Sequence, residues 1–448
     1  MADESVENKE ESTGAPEAAP EENAPAAEPG STSAVATAEA EGAEAAAEAE
    51  GIVAEEAAEP AVAPAKMIQP DIGFVREVIG AGGTDLKKCF QCATCSVVCN
   101  ITPDDHPFPR KEMIWAQWGL KEKLVADPDI WLCHQCNDCT AQCPRDAKPG
   151  RVMQAVAKMS IPSLSKPGFL AKGIGNPSMI AIMMALPLII VGLAVGLLGS
   201  FNPQRGEGEH AGQIVYGQFL GHWPIVGVFS TFFVLSIIIF LLGIRNYWVM
   251  MKKHASEEGS PVSGSGMAQV GPVIGEIAAH KRFGKCDETR DRKVSHLFIL
   301  YAFVLLFLAT VTSTIYTDFP LLWGGHGTES PYPTLSLVKL FGYSGAIAAV
   351  IGIGLITINR FKHQAKVGLG SYFDWQLIVM IIVLMLTGIG SAAFRLANIG
   401  VLAYPTYFIH LSTVMFLFIY APFSKMAHMV YRATAMAFAR TAGRDTPM

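Results

Sequence analysis

Six apolar stretches, each as long as a bilayer requires or longer, constrain this chain before any other feature. They run over Met179–Leu198, about Ile214–Ile244, Val294–Ile315, Leu335–Ile358, Trp375–Phe394 and Tyr404–Phe423. A hydrocarbon layer about 30 Å thick takes about 20 apolar residues in a helix. Helices satisfy their own backbone polar groups there and open strands do not. The expected fold is therefore mainly α, with a six-helix transmembrane bundle. The second stretch is longer than a span needs and is expected to bend at Pro224. The last two, joined by a short connection, are expected to pair antiparallel.

Lysine and arginine set the orientation. They crowd the connection from Arg245 to Lys293, the one holding Arg360, Lys362 and Lys366, and the end holding Lys425, Arg432, Arg440 and Arg444. The opposite connections hold Arg205, with Lys339 and Arg395 at helix ends. By the positive-inside rule the crowded side is cytoplasmic, which makes this a multi-pass protein of the inner (cytoplasmic) membrane with both termini inside. The first 65 residues are mostly Ala, Glu and Pro without an aromatic; 17 acidic residues against Lys9 give a net charge of −16. Such a tail cannot bury enough apolar surface to offset its ordering entropy and is expected to be disordered. The whole chain carries −6, so the remainder carries +10. The tail has no basic start followed by an apolar run, and is not read as a secretory signal. The expected layout is an acidic tail over 1–66, a cytoplasmic domain over 67–172, the membrane domain over 173–435 and a cytoplasmic tail over 436–448.

The cytoplasmic domain carries eight of the nine cysteines, in "CFQCATCSVVC" from Cys89 and "CHQCNDCTAQCP" from Cys133. Cysteines this dense cannot pair with run neighbours without strain. Zinc ribbons use two separated C-x-x-C pairs, whereas C-x2-C-x2-C-x3-C-P is the spacing for [4Fe–4S] clusters, its fourth cysteine serving the other cluster. The expected ligands are Cys89, Cys92, Cys95 and Cys143 for one cluster and Cys133, Cys136, Cys139 and Cys99 for the other, in a small α-helical, ferredoxin-like two-[4Fe–4S] domain. Pro144 follows the second run, and Asn100 stands in the equivalent place after the first. His134 is read as a surface residue or as support behind the ligands. Cys286 is read as a reduced thiol in the basic loop.

Ligating side chains within membrane spans are costly and mark function. His410 and His428 are 18 residues apart, five turns of one helix and roughly 27 Å along its axis, an arrangement that suits two haems b. Pro422 between them can kink the helix. His296, opening the third span, is the expected partner of His428, and His222 that of His410. The ordinary alternative for each is capping or snorkelling at a helix end. His106, His210, His254, His280, His326 and His363 are read as solvated.

These motifs carry a resemblance. The cysteine domain resembles the C subunit of heterodisulfide reductase, and the membrane part resembles the haem b-carrying E subunit of that enzyme and the related gamma subunit of respiratory nitrate reductase. Their fusion over about residues 70–440 resembles the C-subunit family of quinone-interacting membrane-bound oxidoreductase complexes of sulfate reducers. In the gamma subunit a second histidine lies ten residues beyond the first on the third helix, where this chain has Leu306.

The resemblance implies an electron-transfer subunit. Menaquinol would be oxidised in the membrane, and its electrons would pass through two haems b and two [4Fe–4S] clusters to cytoplasmic flavin/iron–sulfur subunits, feeding adenylylsulfate reductase. It also offers Lys339 as a polar handle for the quinone, while Arg395 can pair a haem propionate. No adjacent Cys-Cys pair and no Gly-rich dinucleotide fingerprint occur, so disulfide and flavin chemistry would belong to partners. No nucleic-acid partner is expected. The rival readings are an equivalent subunit of a heterodisulfide- or sulfite-linked complex, a membrane anchor without haem, and a transporter.

Overall fold

The computed structural model describes residues 69–206, 211–286, 291–322, 331–333 and 335–444, without the side chains of 321, 322, 366 and 367. The acidic tail over 1–66, His210 and His326 lie outside the described residues. Met67–Met448 form one compact unit. Its helices are α1 (Ile72–Gly80), α2 (Thr94–Val97), α3 (Arg110–Gln117), α4 (Lys121–Ala126), α5 (Asp129–Leu132), α6 (Asp138–Ala141), α7 (Pro149–Leu164), α8 (Gly168–Ile174), α9 (Ile180–Leu198), α10 (His222–Glu257), α11 (Val270–Ala279), α12 (Arg292–Leu322), α13 (Leu337–Lys362), α14 (Gln364–Val367), α15 (Tyr372–Leu396), α16 (Gly400–Tyr420) and α17 (Ala427–Thr441).

In the front part, α1, α3, α4, α5 and α7 surround buried Phe74, Val78, Met113, Leu124, Ile130, Val152, Met153 and Val156. Apolar residues three and four apart put one stripe of α7 into this core. The core continues without a break into Tyr247 and Met251 of α10, Phe416 and Tyr420 of α16, and Tyr431 and Phe438 of α17.

Among the described residues, six helices are long and apolar enough to cross a membrane. Their outer faces are bare of protein, as at Leu197, Leu241, Leu242 and Leu386, and a bilayer would cover them. Helix α12 pairs with α13, and α15 with α16. Glycines let the first pair close tightly: a Cβ at Gly352 would sit 2.9 Å from Ile299 Cγ1, and one at Gly345 3.0 Å from Leu306 Cγ. Leu306 is thus packing surface against α13.

Three expectations change along the second span and its continuation. Pro224 does not bend the second span, because α10 begins at His222 and a proline in the first turn has no intrahelical bond to lose. Beyond Ile244, α10 keeps going to Glu257, and its last turns lie on the front domain: Tyr247 Oη donates to Asp127 O at 3.0 Å and Asn246 Nδ2 to Ser163 O at 3.1 Å. His254, read as a solvated loop residue, is therefore helical and buried against Trp115, with ring centroids 5.5 Å apart.

The sixth span breaks. Pro422 cannot donate to the ladder, the chain makes a single 3-10 turn over Ala421–Phe423, and extended Ser424 restarts it, its Oγ accepting from Met426 N at 3.2 Å. His410 and His428 consequently sit on two helices rather than on one face of one helix. The helix restarted there carries on past residue 435 to Thr441, with Met436, Ala437, Phe438 and Ala439 buried.

The end of α17 is anchored by charge. Arg444 Nη2 donates to both oxygens of fully buried Asp129 at 2.8 and 3.0 Å. Lys111 Nζ lies 2.8 Å from Asp129 and 3.2 Å from buried Asp127. Removing one partner of a buried pair strands the other charge. Arg444→Ala should lower the unfolding free energy by about 3 kcal/mol, measured by denaturant titration in detergent. A loss below about 1 kcal/mol would mean that this pair does not hold the joint.

Candidate redox site

The two cysteine runs share one backbone conformation. Gln91 and Ala93 in the first run have φ of 62° and 67°, and Gln135 and Asn137 at the matching places in the second have 53° and 70°. Left-handed backbone is costly for such residues and persists where the surroundings over-determine it. Here it leads in each run into a single helical turn, α2 or α6, holding Cys95 or Cys139. It also aims amide groups at sulfur: Gln135 N donates to Cys133 Sγ at 3.4 Å, and Ala147 N to Cys143 Sγ at 3.3 Å. Gly150 sits tight behind the second run, where a Cβ would lie 2.3 Å from Asn137 Oδ1.

The fourth cysteine of each run crosses over. Cys99 lines one small cavity with Cys133, Cys136 and Cys139. Cys95 is surrounded instead by Cys89, Cys143 and Cys92; burial, then those neighbours, push its thiol up to about 11. Burial with Cys136 beside it pushes Cys99 up to about 12, and burial with Cys136 and Cys99 does the same for Cys133. The structure so gathers Cys89, Cys92, Cys95 and Cys143 around one space and Cys99, Cys133, Cys136 and Cys139 around another. Grouped thiols held protonated by burial ionise when a cation supplies the compensating charge, and an all-sulfur set selects soft metal centres.

Two further residues stand beside these sets: Cys286, read from the sequence as a plain reduced thiol, and His134, read there as a surface residue or as support behind the ligands. Cys286, 4% exposed, lines the second cavity, its Sγ within 4.8 Å of the ligating atoms of Cys136 and Asp138. His134 is buried, not on the surface. Burial, then Arg432, hold its imidazole well below the usual value, and its Nε2 accepts from Arg432 Nη2 at 2.5 Å.

Behind the second run opens a cavity of about 810 Å³, which extends from Cys133, His134 and Gln135 to His296 and His428. The two imidazoles both line this cavity, with ring centroids 6.4 Å apart and planes at 82°. A haem iron bound in this cavity would take an imidazole nitrogen from each. His428 Nδ1 donates to Lys425 O, which leaves Nε2 as the nitrogen available to a metal. Apolar walls come from Ile299, Phe303, Ile353 and Ile378. The rim carries Arg282, Arg292, Arg360, Lys425 and Arg432 against Glu276 and Asp374, a surplus of positive charge suited to the carboxylates of a haem. The residues fit such a group.

His280, read as solvated, is 3% exposed and sits in this wall, its Nε2 2.7 Å from His296 Nδ1. Burial keeps its pKa below the ordinary histidine value. Its place ending α11 in left-handed backbone brings it there, and the sequence signalled this only by a histidine 16 residues before His296. The other histidines have separate partners. His222 Nε2 lies 2.5 Å from Asp318 Oδ1 of α12, and His410 Nδ1 3.2 Å from Thr387 Oγ1 of α15. His363 pairs with Asp291 at 3.2 Å. Lys339 stands in the first turn of α13 with its ammonium 5.7 Å from the Tyr343 ring centroid.

Residues 180–446 match the family model of citrate utilization protein B. The chain belongs to that family. Residues 85–147 match the 4Fe-4S dicluster domain. Citrate utilization protein B of Escherichia coli is 30% identical over 335 residues, 68% of this chain and 79% of that protein. The C subunit of the H(2):CoB-CoM heterodisulfide,ferredoxin reductase of Methanothermobacter marburgensis is 34% identical over 112 residues, 24% of this chain and 57% of that protein. A protein of Archaeoglobus profundus described as like the C subunit of heterodisulfide reductase is 36% identical over 87 residues, 19% of this chain and 46% of that protein. The chain thus spans about half the length of these two heterodisulfide reductase relatives. No solved structure matches. This member of the citrate utilization protein B family combines an iron–sulfur dicluster domain with six membrane-length helices.

The crossing has a direct consequence. Cys99→Ser should perturb the same EPR signal as Cys136→Ser, and Cys143→Ser the same signal as Cys92→Ser, in reduced samples quantified for iron. The opposite pairing would overturn the grouping.

Proposed function

We propose that the chain is a membrane electron-transfer subunit of a quinone-linked oxidoreductase complex. It passes electrons between menaquinone/menaquinol and cytoplasmic flavin/iron–sulfur partner subunits through two haems b and two [4Fe–4S] clusters. The cysteine sets are ligands in the crossed arrangement, and in sulfate respiration adenylylsulfate reductase is the acceptor of the complex. The observation that carries this reading is the cavity holding His296 and His428 on one side and reaching Cys133 and His134 on the other.

Bound there, a haem supplies one-electron chemistry, and the chain's own residues do the rest. His428 presents Nε2 because its Nδ1–H is committed to Lys425 O. The cations of the rim hold the anionic edge, and the aliphatic and aromatic wall excludes water. His134 and the carbonyl of Cys133, both bonded to Arg432, lie between this cavity and the second cysteine set. The second haem is assigned to His410, with His222 as its other ligand, on the resemblance alone. The break at Pro422 removes the support of the 18-residue spacing, and the two histidines meet Thr387 and Asp318 respectively. Lys339, facing the far end of the bundle, is the handle proposed for the quinone. The crowding of Lys and Arg supports an inner-membrane orientation with the cysteine domain in the cytoplasm.

One observation favours a second reading of the partner alone. The Escherichia coli relative named for citrate utilization aligns over 68% of this chain, so the same wire can serve an enzyme of citrate metabolism, just as the likeness to heterodisulfide reductase allows a heterodisulfide-linked one. The proteins that copurify decide between them.

The purified protein should contain two haems b and two [4Fe–4S] clusters per chain, all reducible by menaquinol. His428→Ala and His296→Ala should each remove one haem b and keep the iron–sulfur content, and His410→Ala should remove the other. Full haem content in the His428 variant would refute the site; clusters without any haem would reduce the chain to an anchor.

A further inference from the structure

Between α10 and α12 the chain runs back over the cavity, and the seven-residue segment His280–Cys286 reaches both candidate centres. His280 Nε2 lies 2.7 Å from His296 Nδ1. Phe283 stacks on His280 at 4.9 Å between centroids, meets His296 at 5.2 Å and meets His134 edge-on at 4.7 Å. Lys285 O accepts from Asn100 Nδ2 at 3.0 Å, next to Cys99. Cys286 then ends the segment with its sulfur beside that of Cys136, inside the cavity of the second set.

Each end makes a bond of fixed polarity. A haem ligand presents one ring nitrogen to the metal and donates the N–H of the other to an acceptor. If His296 ligates through Nε2, its Nδ1–H must donate to His280, which accepts through Nε2 and so carries its own proton on Nδ1. An acceptor there makes the imidazole a stronger donor to the metal and favours the oxidised centre. At the other end Cys136, as a cluster ligand, is a thiolate, so the hydrogen between the two sulfurs belongs to Cys286. A donor to a cluster sulfur stabilises the extra negative charge of the reduced state and raises the potential.

We propose that the segment His280–Cys286 is a strap that sets the two potentials in opposite senses, His280 lowering that of the inner haem and Cys286 raising that of the second cluster. Both are positioning residues, and the proposal rests on the functional reading above. The strap thereby narrows or widens the electrochemical step between neighbouring centres without contributing a ligand to either.

The test is a redox titration of the full chain in detergent, with the haem followed optically and the clusters by EPR. His280→Ala should raise the inner haem potential, and Cys286→Ala should lower the second cluster potential, each by about a tenfold change in the reduction equilibrium, about 59 mV for one electron. Each should leave the other centre unmoved. His280→Gln, whose amide oxygen still accepts, and Cys286→Ser, whose hydroxyl still donates, should stay near wild type; they also guard against loss of a cofactor in the alanine variants. Unmoved potentials in the alanine variants, or shifts reproduced by the conservative ones, would overturn the strap. Wild-type protein with clusters and no haem b would instead sink the functional reading and the His280 half together, while the Cys286 half is still judged on the cluster signal.

Discussion

Arg432 donates from Nη1 to the carbonyls of Trp131 and Cys133 at 3.3 and 3.1 Å, and from Nη2 to His134. One guanidinium of α17 thus satisfies three acceptors at the start of the second cysteine run, a task suited to a rigid five-donor fork. Arg292 of α12 adds a bond to Gln135 O at 2.8 Å, and Lys425 one to Gln135 Oε1 at 2.8 Å. Membrane helices therefore grip the left-handed stretch that shapes the run. Buried polar groups are tolerated only when paired, so the strained loop, the guanidinium and the helices that carry it hold each other in place. The front domain is not a module resting on a bundle but an extension of the bundle's own core.

Charge is sorted around the same joint. Glu276 is held by Arg282 and, at 2.8 Å, by Arg440. Asp374 meets Lys425 at 3.0 Å, Arg360 at 3.8 Å and the amide of Gln154. With both acids paired, Arg292 and Arg432 leave the cavity lining a net positive charge, whose field is stronger in a low-dielectric interior than it would be in water. The two cysteine sets differ in depth as well. Cys92 is exposed beside Phe90 at 68% and Val97 at 81%, whereas Cys139 and Cys286 are buried. The first set reaches the solvent at Cys92, and the second reaches the large cavity at Cys133.

What was legible in the sequence was local or periodic. Continuous apolarity marked the six helices, and cysteine spacing marked the dicluster domain, because both signals sit within one element or one loop. The break at Pro422 was half visible: proline forbids the ladder, but the restart depends on the Ser424 hydroxyl reaching Met426 N. The length of α10 was hidden because apolarity fades after Ile244, and what sustains the helix further is Tyr247, Met251 and His254 packing on the front domain. The buried alanine-rich stretch around Phe438 looked like a tail for the same reason. His280 and Cys286 lay in a basic connection whose charge already explained itself through orientation, and only the folded path of that connection carries them to His296 and Cys136.

Helix α10 has 36 residues and so spans about 54 Å, nearly twice the hydrocarbon thickness of about 30 Å. It crosses the bundle and then lies against α4 and α7 without an intervening loop. A continuous helix is a strut, and a strut has no hinge. The height of the cysteine sets above the bundle is fixed by bond geometry rather than by a linker of variable reach, so the front domain cannot swing out to collect or deliver anything. Whatever exchanges with it must travel to a stationary dock.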